Sequence, residues 1–127
     1  MQEQLLFEYA VIRVMPRVER EEFLNAGIIL YCKKLQFLHV LYEFNTHKLS
    51  VFCPEADMEE LSVHLSALSS IAKGNKDAGP IAQLPVAERF RWLTALRSTM
   101  LQTSKVHPGF CYDPMEMIRQ LFQQLVL

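Results

Sequence analysis

Residues 7–15 carry apolar side chains on both faces of an extended chain, and this narrows the fold more than any other feature. Phe7, Tyr9, Val11, Arg13 and Met15 alternate onto one side, while Ala10, Ile12 and Val14 take the other. A strand that needs cover on both faces belongs inside a sheet with a layer on each side. Pro16 ends it, because proline brings no N–H to the ladder.

The remaining chain supplies that cover. Residues 17–26 are charged and then turn-like, and they predict one helical turn stopped at Asn25 or Gly27. Residues 28–32 and Phe37–Phe44 predict two strands joined as an antiparallel hairpin. Residues 54–73 predict a helix with Pro54 near its start, a stripe of Met58, Leu61, Leu65, Leu68 and Ile71, and Gly74 as the stop. Residues 73–80 read as a surface loop and as the best candidate for disorder. A helix from about Pro85 to Leu96, a turn at Arg97-Ser98 and a short strand over Thr99–Thr103 follow. Phe90 and Trp92 are expected in the core. Pro108-Gly109 reads as a turn, Cys111 as a packed side chain and Asp113 as a helix cap. Asp113, Pro114 and Glu116 then open a C-terminal helix with a stripe of Ile118, Leu121, Phe122, Leu125 and Val126. The expectation is a single α+β domain over residues 1–127: a small antiparallel or mixed sheet covered by helices, ending in an amphipathic helix.

Bulk properties bound the function. At 127 residues and half hydrophobic, the chain has the material for one core. A net charge of −1 provides no general attraction to nucleic acid or an anionic membrane. The cysteines, Cys32, Cys53 and Cys111, are odd in number and widely spaced, which fits a reducing cytoplasm better than a disulfide framework. The start lacks the basic and apolar regions of a signal peptide, and no apolar run is long enough to span a bilayer.

Six of the seven arginines fall in two short segments, Arg13-Arg17-Arg20 and Arg89-Arg91-Arg97. Arginine makes fixed, bidentate contacts to carboxylates and phosphates. Arg13 shares a strand face with Tyr9 and Val11, so it is expected partly buried and in need of a partner such as Glu19, Glu22 or Asp113. Three readings stay open: an internal ion-pair network, which is the common fate of buried charges; an anion or phosphate site; and a partner-protein interface. Arg97, Ser98 and Thr99 can form an oxyanion-receiving turn, although a plain polar turn accounts for them too. His107, Cys111 and Asp113 match no standard zinc spacing, and no metal is expected. No phosphate-binding glycine loop and no nucleophile elbow is present, so no cofactor is expected. Tyr9, Asn25, Trp92 and Gln102 are polar-capable groups in apolar surroundings, each expected to satisfy a backbone partner.

Two long segments resemble a known bacterial family. One runs from Tyr9 to Leu30 and holds Arg13, Pro16, Arg17, Glu19, Arg20, Glu22, Asn25 and Gly27. The other runs from Arg89 to Ser104 with Arg97, Ser98, Thr99 and Gln102, and is followed by His107, Gly109, Asp113 and Pro114. Together they are similar to the family catalogued as domain of unknown function 3037. Glu21 stands where that family usually has glycine, and Leu96 where it often has proline. The resemblance implies a small bacterial cytoplasmic protein. Genes of the family often lie beside one for a HipA-like kinase, which implies a partner or regulator of such a kinase. The expectation is therefore a non-enzymatic binding module that meets a partner through a phosphorylated or acidic segment. Arg17, Arg20 and Arg97 would contact the anion, with Glu19, Ser98, Thr99 and Gln102 in the same site and Arg13 as internal organiser. The alternative is an enzyme on a phosphate or phosphoester, with His107 as acid/base. A nucleic-acid binder comes third.

Overall fold

The computed structural model describes residues 3–16, 22–95 and 100–127. Strand β1 (Leu5–Val14) lies at the centre of an antiparallel five-stranded sheet. On one side it pairs with β2 (Leu24–Cys32), which pairs with β3 (Phe37–Tyr42). Its other side is shared end to end by β4 (Leu101–Thr103), opposite Ile12–Val14, and β5 (His107–Cys111), opposite Leu5–Tyr9.

Both faces of β1 are covered, as its double apolar pattern requires. Ile12 and Val14 enter one core with Ile29 and Val40 of the neighbouring strands. That core is roofed by Leu49 of α1 (Thr46–Phe52), by Leu61, Leu65 and Leu68 of α2 (Met58–Lys73), and by Phe90 and Leu93 of α3 (Val86–Thr94). Phe7, Val11, Ile28 and Leu30 enter the other core, closed by Ile118 and Val126 at α4 (Pro114–Leu125) and its end. Each fully buried branched side chain contributes about 1.5–3 kcal/mol.

Local chemistry sets the helix ends. Asp57 accepts the N–H of Glu60 at 3.1 Å, and Gly74 closes α2 at φ 72°, a left-handed conformation that suits glycine. The Asp113 carboxylate accepts the N–H of Met115 at 3.1 Å, with Pro114 at the first position of α4.

Several expectations are corrected. Leu24–Gly27 is strand, not the end of a helical turn; residues 17–21 lie outside the described residues. Gly27 is there because β3 comes too close for a side chain: a Cβ would sit 2.6 Å from the carbonyl oxygen of Leu41. The helix expected from 54 begins at Met58, and a separate α1 precedes it, capped by Asn45. The loop that reads as the best candidate for disorder holds a one-turn 3-10 helix, Lys76–Ala78, and ends where another, Pro80–Gln83, begins. Pro108 and Gly109 do not turn the chain but sit within β5, an edge strand, where a missing N–H is tolerated. Trp92 is 41% exposed rather than core, whereas Phe90 is buried and stacks on Tyr31 at 5.0 Å.

Candidate functional site

Arg13 stands opposite Asn25 of β2 and Gln102 of β4, so the three form one row across the sheet. Their neighbours Ile12, Val14 and Leu101 point into the α2–α3 core, which puts the row on the α4 face. Helix α4 packs mainly on β2 and β3 and less on β1. The β1–β2 register slips between Ile12 and Arg13, and a bulge of this kind re-aims the side chains beside it.

The Arg13 guanidinium lies over the Phe23 ring, 4.1 Å from its centroid. Arg13 is half-buried, and its Nε is shut off from solvent with no hydrogen-bond partner. Among the described residues no carboxylate forms an ion pair with it. Asp113, one expected partner, caps α4 instead. Glu22, another, lines a cleft described below, and Glu19 lies outside the described residues. Asn25 donates from Nδ2 to the Leu125 carbonyl at 2.9 Å, as its polar character predicted, but its Oδ1 is buried without a partner. The row thus presents a cation on an aromatic platform, with unused hydrogen-bonding capacity on two adjacent residues. Of the two, the Arg13 guanidinium is a donor that suits an anionic group, whereas the Asn25 Oδ1 is an acceptor and does not.

Of the expected site residues, Arg17, Glu19, Arg20, Arg97, Ser98 and Thr99 lie outside the described residues. The flanks of their two segments nevertheless meet: the Met15 N–H donates to the Met100 carbonyl at 2.7 Å. A cleft of about 380 Å³ opens at this end of the sheet, lined by Pro16, Glu22, Phe52, Glu55 and Met100. Cys53 also lines it, its thiol pKa pushed up by burial.

Arg89 and Arg91 do not join the row. Arg89 donates through Nη1 to the carbonyls of Ile71 and Ala72, at 3.3 and 3.0 Å, closing the end of α2. Arg91 lines a groove on the opposite face of the sheet. His107 is exposed at the start of β5, its ring 5.3 Å from that of Tyr9. Tyr9 is four residues from Arg13, a separation of about 13 Å along a strand. Cys111, by contrast, faces the core, its pKa raised by burial first and then by Cys32 and Asp113. Among the described residues no group of three or more His, Cys, Asp or Glu could hold a metal ion.

Phe23 escaped the sequence reading. Its only signal there is an aromatic residue directly after a charged run, and the bulge that brings it under Arg13 leaves no mark in the periodicity.

The geometry defines a small α+β domain with an arginine-centred polar row on one face of its sheet and no metal cluster among its described residues. The chain belongs to the family described as protein of unknown function (DUF3037), whose family model matches residues 9–126. Comparisons with curated proteins and with solved structures gave no match. Among the described residues no helix is long and apolar enough to cross a membrane.

Proposed function

We propose that this chain is a non-enzymatic binding or regulatory module that engages a partner protein through an anionic group, at the end of the sheet where Met15 and Met100 pair. The observation that carries this reading is Arg13: a half-buried guanidinium, stacked on Phe23, with no counter-charge among the described residues. A cation in such surroundings gains from an incoming carboxylate or phosphate, because the charge has been partly stripped of water without being paired. On the strength of the sequence we assign Arg17, Arg20 and Arg97 as further anion contacts, together with Glu19, Ser98, Thr99 and Gln102. The family resemblance makes a HipA-like kinase the first partner to try, in the cytoplasm of a bacterium. Three free, buried cysteines fit a reducing compartment.

The acid/base reading of His107 draws less support, since its ring packs against Tyr9, well along the strand from Arg13. Nucleic-acid binding is disfavoured by the net charge of −1.

The test is co-purification of the chain with the neighbouring kinase at moderate salt, comparing the wild type with Arg13→Met and Arg97→Glu. The expected result is a stoichiometric complex that both substitutions abolish while circular dichroism stays unchanged. A complex that survives both substitutions, or a chain recovered alone, overturns the proposal.

A further inference from the structure

The α2–α3 face of the sheet is unfinished at one corner. Helix α3 packs on β2 and β3, and the start of β1 and the end of β5 lie beyond it. Leu6 and Phe110 stand opposite each other there, 54% and 64% exposed, and Val106, further along the same edge past the Glu8–Pro108 pair, is 41% exposed. Between this corner and α3 runs a groove of about 360 Å³, floored by the Tyr31–Phe90 stack. Large side chains paired across two strands and left in water mark a surface awaiting cover.

The charges along the groove identify the cover. Lys33 lines one wall and Arg91 the other, and among the described residues neither has an ion-pair partner. Glu8 is the one carboxylate among the described lining residues, while Lys34 next door is already engaged with Glu3. Two cations to one carboxylate favour an acidic visitor and oppose a second copy, whose matching groove would bring like charge to like. An apolar corner beside a helix is also the place where a further helix completes the layer, about 8–10 Å from α3.

We infer that this groove is a docking surface for an amphipathic helix of a partner protein, apolar towards Leu6, Val106 and Phe110 and carrying carboxylates towards Lys33 and Arg91. It lies on the opposite face of the sheet from Arg13, so it stands or falls independently of the function proposed above.

The test is photo-crosslinking in the cells the gene comes from, with a benzophenone amino acid at position 106 or 110, and at Val63 on α2 as the exposed control. The crosslinked peptide is then sequenced. The expected product joins 106 and 110, but not 63, to one apolar, acidic segment of another protein. Lys33→Glu combined with Arg91→Glu should cut its yield about tenfold or more, the effect of losing about 1.4 kcal/mol of affinity. Arg13→Met should leave it unchanged. A crosslink to the chain's own peptides would assign the groove to a second copy and overturn the inference. So would a captured segment without carboxylates, a yield indifferent to charge reversal, or no product above the Val63 control.

Discussion

The hydroxyl of Ser104 accepts the backbone N–H of Val11 at 2.8 Å, across the gap between β4 and β5. The register of this edge slips by one residue between the two strands, and the side chain stands in where a ladder carbonyl would be. The same hydroxyl donates to the Lys105 carbonyl at 2.9 Å, and the Ser104 N–H returns a bond to the Val11 carbonyl at 2.9 Å. Ser104→Ala therefore leaves a buried N–H unpaired in the middle of the central strand. The expected loss is about 1–3 kcal/mol of stability, read by urea denaturation, with faster hydrogen exchange at Val11. An unchanged midpoint would show that the slip is satisfied in another way.

Arg13 and Arg89 should respond in opposite senses. Breaking a buried ion pair costs about 3–5 kcal/mol, but among the described residues Arg13 has no such pair to break. Arg13→Met is expected to leave the melting temperature level or higher. Arg89→Met removes the donor that closes α2 and should lower stability by about 1 kcal/mol. Thermal melts of the two variants side by side decide the matter.

How these arginines sort themselves was only partly legible in the sequence. That Arg13 would be partly buried followed from strand alternation. That it would rest on Phe23 instead of pairing with a carboxylate depended on the bulge beside it, which skips a residue of β2 and cannot be seen in a period of two. Likewise, α4 was plain because Asp113 and Pro114 write its cap into the chain, and Gly74 marked the end of α2 just as clearly. The β5 strand was hidden because Pro108-Gly109 has turn chemistry, and only its place at the sheet edge makes those residues acceptable in a strand. Helix α1 is too short to show a period.

Gly27→Ala should be costly even though alanine is otherwise mild in a strand. The added Cβ would meet the Leu41 carbonyl oxygen at 2.6 Å and the Tyr42 Cβ at 3.0 Å, so β2 and β3 would have to part. A loss of about 1–3 kcal/mol is expected by denaturant titration. A neutral result would mean the hairpin yields easily.

His39 gives the fold a pH dependence of predictable sign. Its pKa is lowered below the ordinary 6.5 by burial first, then by the charges of Lys73 and Arg119. The unfolded chain therefore takes up this proton more readily than the folded one. The stability tied to His39 is complete above 6.5 and is lost as pH falls through that value towards the folded pKa. Melting temperature should decline on acidification across this window, and His39→Leu should flatten that part of the profile. A wild-type profile flat below neutrality would contradict it.

The bond from Ser104 to Val11 spans 93 residues, and it belongs to the only edge that completes β1 on that side among the described residues. During synthesis β1 can pair at once with β2, but its other edge must wait until nearly the whole chain has left the ribosome. Contacts of such high sequence separation slow folding and leave a bare apolar strand edge in the meantime. A chain truncated before Leu101 should thus be captured by chaperones or aggregate, and the last quarter of the polypeptide acts as the latch that ends this vulnerable interval.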